Sequence, residues 1–412
     1  MADAVVHQLR SLSIYEEPDG SFAVDHYSTP GDFLAIPAEA NGFQWTPNQP
    51  MESPGLLQQY KHGRSTKELG PRSLTASFTV PMGLTGILAD DVTASADEDD
   101  SALFRLLKIV FGGIIGGNMG STVATPDDEA GFDVQAGHGT RFNEVGAIGW
   151  INANGLMEIR EIQRVVSDTI TLKHALSGIP QATDAIYNAT TFYLDDGNTH
   201  AQFIATGQDA NDAWSLRGCQ LSSLAYRTAL AGVPGITFGM QGAEWENKGG
   251  GALAGATYAN FNPFVFNEGE LFYQTVGTET RNVVCAREVQ FNPALSYIAK
   301  TCVNGTNTID GYVQDHGEPV IAGSFGVHYE DQSYFTDRTN KTPKHIALQI
   351  GMQPTGGWLI VAPNAQITDA TSPQDANRLA GQTVSFEGGI DTDVATQTTA
   401  SRRSAHRLHI VG

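Results

Sequence analysis

The chain is poor in the groups that most reactive sites need. Its three cysteines, Cys219, Cys285 and Cys302, lie far apart in 412 residues. An odd number without CxxC or Cys/His spacing argues against a disulfide framework and a cysteine zinc site, and fits folding in a reducing compartment. Lys and Arg total 24 against 45 Asp and Glu, a formal charge of −21. Such a surface repels phosphates and anionic lipids, which speaks against a protein built to grip nucleic acid. No apolar run approaches the roughly 18 residues of a membrane span. The opening "MADAVVHQLRSLSIYEEPDG" lacks the apolar stretch of a signal peptide, so the sequence reads as a soluble protein made in the cytoplasm. The N-x-T sequons at Asn188, Asn304 and Asn340 then carry little meaning.

What the chain has is glycine, 45 residues, and a hydrophobic share of 41%. The second supplies a sizeable core, and the first supplies the positive φ angles that hairpins require. The first 72 residues hold Pro30, Pro37, Pro47, Pro50 and Pro54 among Phe33, Leu34, Phe43 and Trp45. Prolines so placed forbid a long helix and discourage interior strands, leaving an extended arm. It either docks on a neighbouring molecule or straps its own core. In "SLTASFTVPM", 73–82, Leu74, Ala76, Phe78, Val80 and Met82 share one face of a strand. The acidic run "DDVTASADEDD", 90–100, leads into "SALFRLLKIVFGG", where Leu103, Leu106, Leu107 and Val110 share a helical face. The acids suit the positive end of that helix, and Gly112–Gly113 ends it.

Residues 121–189 read as a small β unit inserted in the main fold, with an Asn154-Gly155 turn and one break in alternation between Ile159 and Ile162. A further hairpin is expected over 190–207 around Asp195-Asp196-Gly197. In "WSLRGCQLSSLAYRTALAGVPGITFGMQGAEW", 214–245, two alternating runs flank a turn, and the phase slips at Ser222-Ser223 as at a bulge. The end, "SRRSAHRLHIVG", reads as a short basic tail, solvated or paired with acids of another copy.

No pattern amounts to an active site. The glycines of "FGGIIGGNMG" follow a helix instead of preceding one, whereas phosphate cradling needs a helix N-terminus. Paired carboxylates in "LDDG" and "DDVT" fit solvated turns better than a cation site. His138, His200, His316 and His328 form no HxH or HExxH pair, no G-x-S-x-G elbow presents a serine, and Ser324 and Cys219 read as strand residues. The sequence therefore assigns no catalytic, cofactor-binding or metal-ligating residue, no cofactor and no enzymatic activity.

One resemblance spans roughly residues 73–390. Leu216, Gly218, Cys219, Leu221, Ser222, Ser223 and Leu224, followed by Gly242, Ala243 and Trp245, resemble the "L-x-G-C-x-[LV]-S-S-L" and "G-A-x-W" strands of bacteriophage tail tube proteins. The helix "ALFRLLKIVFGG", "EVQFNPAL" at 288–295, "PVIAGSFGVHY" and "LIVAPNAQIT…GQTVSFEGG" follow in the order of that family. The resemblance implies a mainly β fold: a tail-tube-type β-sandwich over 73–120 and 190–390, one flanking helix, an inserted barrel-like domain at 121–189, an arm at 1–72 and a tail at 391–412. It implies a structural virion protein, made in the host bacterial cytoplasm, whose hexameric rings stack into the tube through which DNA is ejected. Its partners would be other copies of itself, the tape measure, terminator and distal tail proteins, and DNA passing without specific binding, with no membrane insertion. The alternative is another β-rich virion protein, a spike, fibre or capsid decoration, that binds a receptor or shell.

Overall fold

Strand after strand alternates apolar with small polar residues, so each sheet has an inner face to bury. In the computed structural model of the chain, the described residues are 11–18, 22–28, 32–39, 43–49, 51–52, 68–69, 72–84, 102–117, 120–195, 199–206, 213–229, 233–249, 262–264, 269–293, 295, 297–301, 309–314, 321–328, 333–354, 356–371, 374–376, 379–391 and 404–411. These residues are mainly strand, with two α-helices and one closed barrel.

Two long strands organise the sheets. The first, Ala213–Ala229, pairs through its N-terminal half with Ala201–Thr206 on one side and Glu244–Asn247 on the other. Ser11–Glu16 and Leu34–Ile36 extend that lobe. Its C-terminal half enters a central sheet between Gly235–Gly242 and Ala286–Pro293. That sheet runs Gln44–Asn48, Ser73–Pro81, Gly235–Gly242, Ala213–Ala229, Ala286–Pro293, Ile321–His328, Leu379–Gly389 and the far end of Gly356–Ala370. Gly356–Ala370 is the second long strand. Its first half joins another lobe, between Lys344–Gln353 and Arg407–Val411. The register against Gly235–Gly242 shifts between Leu221 and Ser223, where the alternation slips phase.

Helix α1, Ala102–Phe111, buries Leu103, Leu106, Leu107 and Val110 together with Phe104, Ile109 and Phe111. Its Arg105 and Lys108 reach the N-terminal strap, at Asp32 O (3.0 Å) and Glu16 (3.2 Å). Gly112, at φ 74, ends the helix in the left-handed conformation that glycine tolerates. The acidic run 90–100 lies outside the described residues. A second helix, α2, spans Ser333–Asn340 and was not expected, because "SYFTDRTN" has no apolar stripe and buries no residue. It is held by Tyr334, whose ring meets Tyr273 at 5.3 Å and Phe325 at 5.7 Å.

The barrel closes in the order Gly131–Val134, Thr169–Leu172, Met157–Val166, Ala147–Ile151, Ala185–Asn188, Ser121–Pro126. Phe132, Trp150, Ile162, Ile170 and Leu172 fill it. Its long strand is bulged between Ile162 and Arg164, a few residues beyond the expected break. The barrel is spliced between Gly112–Ile115 and Thr190–Leu194, which are antiparallel neighbours in the main sheet.

Two expectations give way, and the choice left open for the arm is decided. Thr190–Leu194 and Ala201–Thr206 do not form a hairpin: the first pairs with Gly112–Ile115 and Arg407–Val411, the second with Ser11–Glu16 and Ala213–Ala229. Both strands are buried along nearly their whole length and have both backbone edges taken by other strands, so no edge is left for each other. The described parts of the arm strap the chain's own core, with Phe33 and Leu34 buried and Pro47 in a strand that among the described residues pairs on one side only. The C-terminal stretch is not a tail throughout, since Arg407–Val411 is an interior strand buried at every residue.

The inner face of the central sheet is the mechanical centre of this arrangement. Phe78 and Phe238, both fully buried, stack at 5.3 Å across paired strands. Phe238→Ala is expected to cost about 3–5 kcal/mol, read as a lower urea midpoint with an unchanged slope.

Candidate functional site: an open sheet face and a buried ionic junction

The residues weighed for chemistry do not converge. Gly112–Ile115 is a strand, so the glycine-rich stretch offers no helix N-terminus. His200 is half-buried against Phe22 at 4.8 Å, and that desolvation pushes it down to about 4. Cys219 is fully buried, with its thiol raised well above its ordinary value by burial. Ser324 and His328 lie on Ile321–His328. His316, Cys302 and the carboxylates of "DDVT" lie outside the described residues. Among the described residues, no group of His, Cys, Asp and Glu has a metal-holding arrangement.

One Ser–His contact was not foreseen: Ser121 Oγ lies 2.9 Å from His138 Nδ1, while Arg141 Nη2 lies 2.9 Å from His138 Nε2. Arginine only donates, so Nε2 accepts and Nδ1 carries the proton of the neutral ring. His138 therefore donates to Ser121 and cannot act as its base in this arrangement.

Two features stand out instead. The first is the outward face of the central sheet. Thr75, Ser77 and Thr79 lie opposite Gln241, Gly239 and Thr237, and Thr79 and Thr237 share a 3.0 Å hydroxyl contact. Beyond them a row crosses the strands through Arg227, Gln290, Ser324, Ser385 and Asp369. All of these side chains are half-buried or exposed, while their strand neighbours Phe78, Phe238, Tyr226, Phe291, Phe325 and Phe386 are buried on the other side. The open face is mostly hydroxyl, amide and glycine, with isolated charges.

Beside it stands the hairpin Tyr297–Thr301 with Ile309–Gln314, which among the described residues pairs with no other strand. Tyr312 is buried against Phe22 and His200 on its inner face. Its outer face carries the cross-strand pair Ile298 and Val313, 58% and 42% exposed. Two β-branched side chains in water on an otherwise unpaired ribbon are an unsaturated contact surface.

The second feature lies where the barrel meets the main sheet. Ala147, Met157 and Ile159 of the barrel share an apolar cluster with Phe272, Ala347, Leu359, Val361 and Val411. Gly149 permits the close approach, since a Cβ there would sit 2.8 Å from Val411 and 2.9 Å from Met157. Charges run along the same seam. Glu161 pairs with Arg407, accepts from His345 Nε2 at 2.7 Å and lies 3.8 Å from Lys173. Asp391 takes Lys173 at 2.6 Å and Arg407 at 2.9 Å. Nearby, Glu158 pairs with Arg160 at 2.8 Å, Arg160 donates to Gln349 at 2.8 Å, and Gln349 returns a bond to Met157 O. Glu270 completes this second group between Arg160 (3.6 Å) and Arg281 (2.6 Å). Each group matches two carboxylates with two cations, so the seam is neutral when its histidines are neutral.

Burial alone would raise Glu161 and Asp391. Lys173 and Arg407 outweigh it and hold Glu161 well below the usual carboxylate range, and Asp391 below its own. Burial lowers His345, and lowers His174 far below its ordinary value. It takes His409 down to about 3 and, one strand position away from the seam, His406 to about 4.

The sequence hid this seam. In "MEIREI" the charges alternate with apolar residues as on a solvated strand face, and the partners of Glu161 lie at 345 and 407. The insert, read as a small β unit within the main fold, is keyed into the main sheet by that strand. No family model matches the chain, and no curated protein matches it in sequence.

Two outcomes follow from the seam. Arg407→Met leaves Glu161 and Asp391 short of a cation and is expected to cost about 3–5 kcal/mol, measured by urea unfolding at pH 7.5. Stability is also expected to fall with pH from about 6.5. Unfolded imidazoles take up protons there, while folded His406 and His409 resist until about 4 and about 3. The depressed carboxylates add to the loss as pH drops below their unfolded values. Glu17, raised to about 7 by burial, acts in the opposite sense, its contribution growing as pH falls from about 7 towards 4.5. A melting temperature that rises steadily from pH 6.5 to 4.5 would contradict the histidine-dominated balance.

Proposed function

We propose that the chain is a structural virion subunit that assembles into stacked hexameric rings, forming a hollow bacteriophage tail tube through which DNA passes. In this reading the sheets around α1 form the tail-tube-type β-sandwich implied by the sequence resemblance.

The observation that carries the proposal is the continuous central sheet with one apolar face and one water-facing, hydroxyl-rich face. Sheets of this kind, joined edge to edge around an axis, would present that open face to a bore. Hydroxyl and amide groups there bind no phosphate strongly and leave no apolar surface for exposed bases. Thr79, Thr237, Ser223, Ser324 and Ser385 would make the wall smooth by neutrality, with isolated charges such as Arg227 and Asp369 contributing little. The protein's overall charge of −21 still disfavours adhesion of DNA to its surface. Ring closure has a natural contact in the Ile298–Val313 hairpin, whose exposed apolar pair a neighbouring copy would cover.

Negative-stain micrographs over a rising concentration series are expected to show hollow filaments of uniform width. Ile298→Lys combined with Val313→Glu, an opposite-charge cross-strand pair, should abolish them while changing monomer stability by no more than about 1 kcal/mol, as two exposed substitutions do. A wild-type chain that remains monomeric at every concentration sinks the proposal.

A further inference from the structure

The seam between barrel and sheet contains a directed chain of hydrogen bonds. Ionised Glu161 can only accept, so His345 donates to it from Nε2. Neutral His345 then has a bare Nδ1, which accepts from His174 Nε2 at 2.6 Å. His174 in turn is left with a bare Nδ1, buried and without a hydrogen-bond partner. Gln274 Oε1 is also buried and unpartnered, and Gln274 is the side chain next to His174, anchored through its Nε2 to Thr278 O at 2.6 Å and to Lys173 O. The chain therefore ends in an open proton acceptor facing an open hydrogen-bond acceptor, and one added proton would bridge them.

Every charge around that position is already matched. Glu161 and Asp391 face Lys173 and Arg407; Glu158 and Glu270 face Arg160 and Arg281. The barrel strand Met157–Val166 brings Glu158, Arg160 and Glu161, and the segment after Thr169–Leu172 brings Lys173 and His174. Gly269–Thr275 brings Glu270, Lys344–Gln353 brings His345, and Arg407–Val411 brings Arg407 and His409. His409 lies 4.0 Å from Glu161 and takes a hydroxyl contact from Thr191 at 2.9 Å. His406 belongs to the main sheet instead, against Val361 O and Tyr226. Lys344 is engaged by Asp337 at 2.9 Å. A proton on the histidine chain would add an unmatched positive charge to a buried position, His174 and His345 both being buried.

We propose that the His174–His345–Glu161 chain is a proton-operated latch, so that the barrel releases from the main sheet with proton uptake on mild acidification, before either part unfolds. The latch joins elements from the insert to elements of the sheet, and the apolar cluster of Met157, Ile159, Phe272 and Val361 lies directly beneath it. Release would expose that cluster while leaving the barrel's own core of Phe132, Trp150 and Ile170 intact. Lys173 and Arg407 hold the seam carboxylates Glu161 and Asp391 below their usual range, so between pH 6.5 and 4.5 the histidines are the groups of the latch that take up protons. Glu17, which titrates in the same interval, lies in the N-terminal strap against Gly218 and Ala23. The inference is independent of whether the chain assembles.

Hydroxyl-radical labelling of the full chain at pH 7.5, 6.5, 5.5 and 4.5 tests it, because release keeps the strand pairing of both parts and bares side chains. Met157 and Phe272, buried in the seam, are expected to gain labelling as the pH falls, with the open population rising about tenfold per pH unit for each histidine that takes up a proton on opening. Phe132 in the barrel and Phe78 and Phe238 in the central sheet should stay shielded. Seam side chains as shielded at pH 4.5 as at 7.5 would overturn the proposal, as would simultaneous labelling of all five residues. The double variant His174→Gln, His345→Gln should flatten the step between pH 6.5 and 4.5; a folded variant with an unchanged step would also overturn it. If the variant does not fold at pH 7.5, the wild-type profile alone decides.

Discussion

A buried backbone amide or carbonyl needs a hydrogen-bond partner, and this chain meets that demand with strands that serve two sheets each. Ala213–Ala229 leaves one set of neighbours at Arg217 and Cys219 and takes up another from Gln220, just before the bulge near Ser222. Gly356–Ala370 does the same between Arg407–Val411 and Leu379–Gly389. Because the chain direction persists through each change of partners, the lobes are coupled through continuous backbone. The bulge aims Leu224 and Tyr226 into the core after Cys219 and Leu221 have filled the preceding turn of it. Gly218, at φ 57, lies at the same bend, where Phe22 leaves no room for a side chain. The N-terminal strap is fixed there as well, since Glu17 accepts from Gly218 N at 2.9 Å and Ala23 N at 3.0 Å.

The seam under the barrel solves a different problem. An apolar interface alone would hold a small barrel against a sheet in several rotational settings. Arg160 and Arg407 are fully buried and each must meet specific carboxylates, so other settings strand a charge. Net stabilisation from such pairs is small once desolvation is included, whereas the penalty for a wrong alignment is large. The charges therefore select an orientation more than they add to stability. The same low-dielectric setting makes any change in proton count consequential.

Local pattern carried much of this architecture. The strand "SLTASFTVPM", the helix over 102–111, the Asn154-Gly155 turn and the phase slip at Ser222-Ser223 could all be read, because each depends on neighbours within a few residues. What could not be read depends on distant partners. Thr190–Leu194 and Ala201–Thr206 looked like hairpin arms until strands from both ends of the chain claimed their edges. Arg407 and His409 looked solvated because their matching charges come from residues 161 and 391. Helix α2 is held by rings at 273 and 325, outside its own weak pattern.

The barrel's position between two adjacent strands also bears on how the chain folds. Ile115 and Thr191 are cross-strand partners, yet the entire barrel separates them in sequence. As a flexible loop, that separation would impose a closure entropy that grows with length. All of the barrel's strand pairings lie within the insert, and half of them join consecutive strands, such as Ala147–Ile151 with Met157–Val166, so it can form before the rest of the sheet. Once formed, its two ends lie side by side, with Gly117 N donating to Thr190 Oγ1 at 3.3 Å. The insert then behaves as a preassembled clasp that turns a pairing between strands distant in sequence into a short one.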